Sequence, residues 1–458
     1  MAQPTIVPRA EHTISRRDVD PDALKVLYRL HEHHYIAYLV GGSVRDLLLG
    51  RRPKDFDIGT SAHPAQVKKL FRNCWIIGRR FRLAHVKYGP KTIEVATFRR
   101  QVDPSELPPD AARTDEALEA APDTPLADGA SMEEQVQSEG THLAKVRAHD
   151  RLVHRDNTFG TPEEDAFRRD FTINALFYDI ATFSIIDYVN GMDDLHAGIV
   201  RSIGDPEVRF QEDPVRMLRA VALAARLNFT IDPPILDAIR LHRHDIARSS
   251  PARLLEEYYK ILRSGYSERI FRGLFEAGLL EPISAELHRS AGDTMWRSLA
   301  ALDVYRSRFE SVPDALTNPI LLGSLIVPGG FTHQPHARPP VRDDADAAPP
   351  KRPPGPRIGE LPLARRDVER LSQILQLQRR LRDVNANPRV QTALAHRSIF
   401  REALTWMEVH GDTPELVAHW NALAEQRGAI ATDPEATAER PPRRRRRRRR
   451  RRFSSTPS

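Results

Sequence analysis

The stretch Leu39–Thr60 reads LVGGSVRDLLLGRRPKDFDIGT and decides the fold of the first part of the chain. It combines a Gly41-Gly42 turn, an Arg-Asp pair, and two aspartates, Asp55 and Asp57, that lie two residues apart. On a β-strand, residues i and i+2 point to the same face, so we expect the two carboxylates to converge on one spot. Two carboxylates beside a turn that can approach phosphate indicate a Mg²⁺-dependent phosphoryl or nucleotidyl transferase. A D-x-D pair alone is usually a solvated surface feature, but its spacing from GG-x-VRD makes this signal specific.

The sequence around this stretch alternates between helical and strand patterns. Apolar residues recur at helical spacing before it, and short apolar or alternating runs follow it. The last two strands are predicted to form a hairpin across Gly89-Pro90. The patterns predict helices at 21–34, 44–49 and 63–71, and strands at 36–40, 56–60, 75–78, 83–89 and 91–98. This β-α-β-α-β-β order indicates a mixed α/β domain with a small sheet.

The rest of the chain is predicted to be helical, with irregular segments between the domains. Residues 103–140 contain 11 acidic residues and one arginine, which predicts a disordered acidic insertion. From about residue 205 onward, apolar residues recur every three or four positions, and the last predicted helices lie at 364–383, 390–410 and 414–427. The predicted organisation is a leader at 1–20, an α/β nucleotidyltransferase head at 21–190, an all-α neck at 191–285, an all-α body at 286–429 with a Pro-rich linker at 334–357, and a disordered tail at 430–458.

The composition limits the class of protein. The 458 residues suffice for two to four domains, and 40% hydrophobic content is typical of a soluble globular protein. No apolar run reaches the length of a membrane span, and the N-terminus lacks the apolar core of a signal peptide. The single cysteine, Cys74, excludes an intrachain disulfide and a cysteine-cluster zinc site. A cytoplasmic monomer is therefore predicted.

The basic charge of the chain comes from its tail. Arg443–Arg452 are ten consecutive arginines, and without them 59 basic residues face 62 acidic ones, which leaves a net charge of −3. Such a run repels itself and buries nothing, so it cannot fold. It is either a solubilising low-complexity segment or a tether that binds RNA phosphates with salt-sensitive, sequence-independent affinity. We favour the tether, which makes Arg443 and Arg452 the ends of a predicted RNA-binding segment.

The residues near the opening stretch extend the predicted site. Gly41 and Gly42 allow backbone N–H groups to approach a triphosphate, and Arg45 could neutralise one phosphate. The chemistry favours a third carboxylate, and Glu94 in IEVATFR is the candidate, because Ile93 and Val95 would face the core while Glu94 points the opposite way. An ordinary exposed strand glutamate is the alternative.

Five motifs agree in order with one known family. LVGGSVRDLLLG, PKDFDIGT, IEVATFR, RRDFTINAL and EDPVRMLRA together resemble the class II nucleotidyltransferase superfamily, which contains the bacterial poly(A) polymerases and the tRNA CCA-adding enzymes. The resemblance covers about 16–265, with weaker similarity over 364–410. It implies two Mg²⁺ ions held by Asp55 and Asp57, ATP as substrate and RNA 3′ ends as acceptor.

The resemblance also assigns roles to RRDFTINAL. It implies that Arg168 and Arg169 contact the nucleotide and that Asp170 is an active-site acid. Whether Glu94 or Asp170 completes the metal site stays open. Arginines beside an acid suit triphosphate and ribose binding, with Asn174 predicted a turn later on the same helical face. A surface salt-bridge cluster is the minor alternative.

The motif EDPVRMLRA predicts a helical face that carries Asp213, Arg216 and Arg219 at three-residue spacing. A carboxylate can accept from the exocyclic amine of adenine while a guanidinium donates to a ring nitrogen. The resemblance implies that these side chains select the nucleotide, whereas the spacing alone only permits this role. The alternative is an ordinary ion pair that faces solvent.

One segment separates the two branches of the family. Ile77–Val86, IGRRFRLAHV, resembles the signature of the bacterial poly(A) polymerases, as do Ala252–Ile261 and the arginine-rich C-terminus. Arg79, Arg80 and Arg82 form a positive cluster that could bind ATP phosphates or incoming RNA. The predicted function is therefore template-independent polyadenylation of RNA 3′ ends in mRNA processing and RNA turnover.

Two other functions remain as alternatives. CCA addition to tRNA is the alternative within the family, and a non-catalytic RNA-binding protein on a degenerate scaffold is the alternative from another class. The presence of Asp55, Asp57, Glu94 and Asp170 together argues against the second. A partner such as an RNA-degradation complex or an RNA chaperone is possible, and the sequence does not identify one.

Overall fold

The computed structural model describes residues 3–78, 82–100, 158–331 and 356–432, without the side chains of the last seven. The predicted acidic insertion and almost all of the predicted linker and tail lie outside these residues. The described residues divide into two compact units. The first contains those up to Trp296 together with Arg357–Pro362, and the second contains the others from Arg297 onward.

The first unit is built on an eight-stranded mixed sheet. Its strands are β1 (Thr5–Val7), β2 (Ala37–Val40), β3 (Asp57–Thr60), β4 (Cys74–Ile77), β5 (Leu83–Tyr88), β6 (Lys91–Thr97), β7 (Leu176–Asp179) and β8 (Ser184–Asp187). Their order across the sheet is β1-β8-β7-β2-β3-β6-β5-β4. Only β3 and β6 pair in parallel; the other neighbours are antiparallel, and β5 and β6 form the predicted hairpin.

Three helices pack against this sheet near its centre. They are α1 (Pro21–Glu32), α2 (Gly42–Leu48) and α3 (Pro64–Leu70). Asp20 caps α1 by accepting from the backbone N–H of Asp22, and the helix buries Val26, Leu27 and Leu30. The interior of the sheet, which carries β3 and β6, is thereby held in place.

The remainder of the described chain is helical apart from two short strand pairs. The first unit continues with α4 (Pro162–Phe167), α5 (Gly191–Ala197), β9 (Ile199–Val200), α6 (Pro206–Glu212), α7 (Val215–Leu227), β10 (Thr230–Ile231), α8 (Pro233–His242), α9 (Pro251–Leu262), α10 (Ser267–Glu276), α11 (Leu280–Ile283), α12 (Ala285–Ser290), β11 (Arg357–Ile358) and β12 (Leu361–Pro362). α13 (Asp293–Arg306) crosses the boundary between the units. The second unit contains α14 (Asn318–Ile326), α15 (Arg365–Leu381), α16 (Pro388–Ala395), α17 (Phe400–His410) and α18 (Pro414–Thr432). The predicted α/β domain followed by helices is confirmed.

The structure corrects two predictions of local structure. The leader is not wholly irregular, because Thr5–Val7 pairs with β8 at the edge of the sheet. The apolar pattern at 390–410 is two helices rather than one, since α16 ends at Ala395 and α17 begins at Phe400. Both errors concern contacts or breaks that local spacing does not encode.

No helix in the described part of the chain is long and apolar enough to cross a membrane.

Candidate active site

The turn between β2 and α2 requires glycine at one position. Gly41 adopts φ +72° and ψ −132°, a conformation that L side chains rarely adopt. A Cβ atom at Gly41 would lie 2.9 Å from Nη1 of Arg169. This close approach brings the Arg169 guanidinium directly against the predicted phosphate-binding turn, while Gly42 is already the first residue of α2.

The Arg45 side chain is buried behind this turn. Its guanidinium donates to Oδ1 of Asp46 through Nε at 2.9 Å and Nη2 at 2.7 Å, and through Nη1 to Oδ1 of Asn174. Only 4% of its side chain is exposed. Arg45 therefore ties α2 to the segment that contains Asn174, and its predicted contact with a phosphate stays a prediction.

Asp57 and Glu94 lie on neighbouring strands and on the same face of the sheet. β3 and β6 are in parallel register with Ile58 opposite Val95, so Asp57 and Glu94 precede that pair side by side. Ile93 and Val95 are buried and Glu94 is half exposed, as the alternation predicted. His85 of β5 lies opposite Glu94, with its Nε2 3.6 Å from the Glu94 carboxylate.

Asp55 departs from the predicted geometry. β3 begins at Asp57, so Asp55 belongs to the loop before the strand, and the period-2 argument does not apply to it. Its side chain is 73% exposed, and Lys54 lies 3.9 Å away. The strand geometry therefore does not place Asp55, but Asp55 is close enough to Asp57 for its charge to act there, and the convergence of the two carboxylates stays a prediction.

The electrostatics of this corner favour a cation. Asp57 is exposed at the start of β3, but the groups packed around its carboxyl partly desolvate it and raise its pKa to about 6; the charges of Glu94 and Asp55 add to this shift, and the charge of Arg169 opposes it. Among the described residues, no group of three or more His, Cys, Asp or Glu side chains is close enough to hold a metal ion. The carboxylates of Asp55, Asp57 and Glu94 nevertheless offer oxygen donors, which are the ligands that a hard divalent cation binds. The residues present thus fit Mg²⁺ by charge and donor type.

Arg168 and Arg169 are held by a carboxylate that the sequence analysis missed. Asp165, buried in α4, accepts from Nε of Arg168 at 2.9 Å and from Nη2 of Arg169 at 2.8 Å. Burial opposes its ionisation, but the charges of the two arginines outweigh burial and lower the pKa of Asp165. The signal was present in the spacing, since Asp165 precedes the arginines by three and four residues.

Arg209 of α6 is a second residue that the sequence analysis missed. Its Nη2 donates to the backbone carbonyls of Arg168 at 2.8 Å and Arg169 at 2.6 Å. It thereby satisfies carbonyl groups just beyond the end of α4 and links the pair of arginines to the neck helices. No sequence motif of the family marked this residue.

Asp170 faces arginines rather than the Asp57 corner. Its Oδ2 lies 2.7 Å from Nη2 of Arg219, and its Oδ1 accepts from Nδ2 of Asn174 at 3.2 Å. Burial opposes ionisation, but the charge of Arg219 and the Asn174 hydrogen bond lower the pKa of Asp170. Asn174 lies on a 3₁₀ turn, Thr172–Asn174, not on the predicted helix, because α4 already ends at Phe167.

The motif EDPVRMLRA is split between two helices. Asp213 follows α6 in an extended conformation, φ −148°, and α7 begins at Val215, so the predicted single helical face is wrong at Asp213. Its proline, Pro214, is the reason that the chain breaks there. Asp213 still lies 4.0 Å from Nε of Arg216. Its stronger partner is Arg253 of α9, whose Nη1 and Nη2 donate to the two carboxylate oxygens at 2.9 and 2.6 Å.

Arg216 keeps an unused donor. Within the described residues its Nη1 is buried and has no hydrogen-bond partner. Burial lowers the pKa of Arg216, and the charges of Asp170 and Asp213 oppose that shift. An unpartnered guanidinium N–H beside an oriented carboxylate can pair with a ligand that offers one acceptor and one donor.

The predicted RNA-binding arginines are only partly described. Arg82 is exposed at the start of β5, with φ +34°. Arg79, Arg80, Arg443 and Arg452 lie outside the described residues. Their predicted contacts with RNA stay predictions.

Three family models match consecutive parts of the chain. They are described as "Poly A polymerase head domain" over 37–201, "Probable RNA and SrmB- binding site of polymerase A" over 228–290, and "Polymerase A arginine-rich C-terminus" over 356–452. Together they cover well over half of the sequence. The chain belongs to the tRNA nucleotidyltransferase/poly(A) polymerase family.

Both branches of this family occur among the relatives. Poly(A) polymerase I of Salmonella typhimurium is 47% identical over 285 residues, which are 62% of this chain and 54% of the relative. A CCA-adding enzyme of Lactobacillus helveticus is 34% identical over 266 residues, 58% of this chain and 56% of the relative. The chain thus spans about half the length of the curated relatives it matches.

The fold is also that of a solved family structure. The Bacillus stearothermophilus CCA-adding enzyme in complex with CTP matches 92% of this chain and 88% of its own, with a TM-score of 0.52 and 22% identity. This likeness establishes the common fold of the family.

Proposed function

We propose that this protein is a template-independent poly(A) polymerase that transfers AMP from ATP to RNA 3′ ends and releases pyrophosphate. One observation carries the proposal: the carboxylates of Asp57 and Glu94 lie in register beside the glycine turn that Arg169 contacts. Acidic and basic groups next to each other are what a nucleotidyl transfer needs at its metal ions and at its triphosphate.

The acidic corner is proposed to hold two Mg²⁺ ions through Asp55 and Asp57, with Glu94 as the third carboxylate. Bound Mg²⁺ would supply activation of the RNA 3′-hydroxyl and neutralisation of the charge on the departing pyrophosphate. Glu94 is preferred over Asp170 for the third position because its charge acts on Asp57, whereas Asp170 is paired with Arg219. Asp170 is then a positioning residue for the arginines around it.

The cationic side of the site is proposed to bind the triphosphate of ATP. Arg169 reaches the Gly41 turn, and Asp165 and Arg209 fix the arginine pair from two sides. Because these guanidinium groups are already oriented before the ligand arrives, little side-chain entropy is lost on binding. Arg168, with about a third of its side chain exposed, is free to turn toward a phosphate without losing its contact with Asp165.

Asp213 and Arg216 are proposed to select adenine. Arg253 fixes both oxygens of Asp213, which leaves further lone pairs for the exocyclic amine of the base. The free Nη1 of Arg216 supplies the matching donor for a ring nitrogen. The side chains thereby take the place of a nucleic-acid template.

Polyadenylation is preferred over CCA addition for three reasons. The identity to the polymerase relative exceeds that to the CCA-adding relative, the C-terminal family model is named for an arginine-rich polymerase tail, and Ile77–Val86 carries the polymerase signature. This proposal includes the domain limits given above and a cytoplasmic location. It also includes a role in mRNA processing and RNA turnover, and an association with RNA-degradation machinery or an RNA chaperone.

The second unit is proposed to bind the body of the RNA. An open cleft of about 380 Å³ is lined there by the polar residues Gln373, Gln376, Arg380, Arg397 and Ser398 together with the apolar Leu377 and Ile399. Such polar groups hydrogen-bond phosphate and sugar oxygens without reading the sequence. This matches a polymerase that accepts many RNA 3′ ends.

An incorporation assay tests the proposal. The purified protein is incubated with Mg²⁺, a labelled RNA without secondary structure, and each of the four nucleoside triphosphates in turn. The proposal predicts long tails with ATP alone. A parallel reaction contains a tRNA that lacks its CCA end, with CTP and ATP together. Addition of only two cytidylates and one adenylate there would instead identify a CCA-adding enzyme, and RNA binding without incorporation in either reaction would identify a binding protein.

A further inference from the structure

One row of side chains crosses the sheet from the proposed metal site to its edge. Asp57 on β3 is followed by Glu94 on β6, His85 on β5 and Trp75 on β4. Residues opposite each other on adjacent strands point to the same face. Trp75 therefore lies on the same face as the acidic corner, three strand spacings or about 14 Å away.

This part of the face is open, in contrast to the rest of the same row. In the other direction the row continues from Asp57 to Val40, Phe177 and Ile186, which are buried together with Phe98. At the β4 side, Trp75 is 52% exposed and Ile77 is 49% exposed, so among the described residues no element covers them. We call Trp75, Ile77, His85 and Lys87 the open face.

The chemistry of the open face is that of a single-stranded nucleic-acid platform. Nζ of Lys87 lies over one face of the exposed Trp75 ring, 5.3 Å from its centroid, so a base would stack on the other face of the ring. An aromatic ring stacks on any base, and an adjacent ammonium group attracts the phosphate backbone. The positive charge of Lys87 favours a polyanion over a purely apolar partner at this position.

We propose that Trp75 stacks on a base of the acceptor RNA about two to four nucleotides from its 3′ end, with Lys87 beside the backbone. This inference rests on the proposed function, because the 3′ end must then lie at Asp57 and Glu94. The distance of about 14 Å along the row sets the number of nucleotides between the two points. Trp75 is thus an RNA-positioning residue rather than a catalytic one.

Tryptophan fluorescence tests the inference, because Trp75 is the one exposed tryptophan of four. Trp296, Trp406 and Trp420 are buried. The full-length protein is titrated with a twelve-nucleotide oligo(A) without Mg²⁺ or ATP, and quenching by acrylamide is measured at each step. RNA should protect the accessible emission from acrylamide. The Trp75→Ala variant should lose the accessible emission and bind the RNA about tenfold more weakly, while Trp75→Phe keeps most of the affinity.

Ile6→Ala is the matched control. Ile6 lies opposite Ile186 on β1, at the other end of the same row, and is 60% exposed. This variant should bind RNA like the parent protein. Circular dichroism melts of all three variants establish that each remains folded.

Three results would overturn the inference. The first is that Trp75 stays accessible to acrylamide at saturating RNA, and the second is that Trp75→Ala binds RNA as tightly as the parent protein. The third is a dimer, detected by light scattering, that the Trp75→Ala substitution dissociates; β4 would then be an edge at which two chains pair. Because the readout needs no AMP transfer, it fails or succeeds independently of the incorporation assay.

Discussion

Two effects raise the pKa of Asp57, and a bound cation would oppose both: desolvation of the carboxyl and the neighbouring charges of Glu94 and Asp55. Arg169 is the nearby positive charge that offsets them in part. The Arg45 guanidinium, by contrast, donates its hydrogen bonds to Asp46 and Asn174. Side chains of the same chemical type therefore differ in role according to their partners: Arg169 faces the site, and Arg45 supports it from behind.

The Asp57→Asn substitution should stabilise the metal-free protein at neutral pH. The pKa of Asp57 is about 6 in the folded state and near 3.8 in the unfolded state, so ionisation above pH 6 favours unfolding. After allowance for solvent screening, we expect a gain of about 1 kcal/mol at pH 7 that vanishes between pH 6 and pH 4. Urea unfolding at both ends of this range measures it. Asp165→Asn, at a carboxyl whose pKa is lowered, should show the opposite sign at pH 7; a loss of stability for Asp57→Asn would contradict the assignment.

The Arg253→Ala substitution should weaken nucleotide selection without removing chemistry. Arg253 holds both oxygens of Asp213, and without it the carboxylate is free to rotate. We expect the preference of kcat/KM for ATP over CTP to fall about tenfold, while incorporation persists. Arg240→Ala is the control, because Arg240 pairs only with exposed Asp237. An unchanged preference would show that Asp213 does not read the base.

Some elements around the site could be predicted from local sequence patterns, and others could not. The hairpin of β5 and β6 and the turn after β2 follow from alternation and from Gly41 and Gly42, and the structure contains both. The partners of Asp213 do not follow from spacing, since Arg253 lies 40 residues away on another helix. The alternation rule does not apply to Asp55 for a similar reason: β3 begins only at Asp57, where its pairing with β2 begins, and the start of a strand depends on its neighbours in the sheet.

The turn between β2 and α2 should tolerate no side chain at its first glycine. Gly41→Ala forces a strained backbone and must also displace the end of the Arg169 side chain from its hydrogen bond to the Asn174 carbonyl, so we expect a loss of about 3 kcal/mol in the free energy of unfolding. Gly50→Ala is the matched control: Gly50 also has a positive φ, +66°, but its Cβ would meet open space, so it should cost about 1 kcal/mol. Chemical denaturation measures both. Equal losses would show that Arg169 does not press against the turn.

The charge of the whole molecule is divided between the decaarginine run and the rest of the chain, which is nearly neutral. The proposed chemistry lies entirely in the first unit, where the acidic corner, the arginine cluster and Asp213 belong to one compact body. RNA affinity is expected to come in addition from the second unit and from the tail. Catalysis and affinity should therefore be separable by truncation.

Replacement of Arg443–Arg452 by ten serines should weaken RNA binding and flatten its dependence on salt. Each arginine that contacts a phosphate releases counterions and adds about 0.7 to the slope of log K against log salt for single strands. Binding isotherms at 50 and 200 mM salt measure the slope. AMP transfer at saturating RNA should be retained. Equal affinity of the two proteins at both salt concentrations would contradict the tether.

The central claim is that the Asp57 corner transfers AMP from ATP to an RNA 3′ end. Pyrophosphate release by the full-length protein and by its Asp57→Ala variant, with saturating RNA, ATP and Mg²⁺, tests it most directly. We predict steady release by the parent, coupled one to one with adenylate addition, and at least a thousandfold slower release by the variant, about 4 kcal/mol in activation free energy, with RNA affinity and thermal unfolding intact. Release by a folded Asp57→Ala variant at the parent rate would contradict the claim.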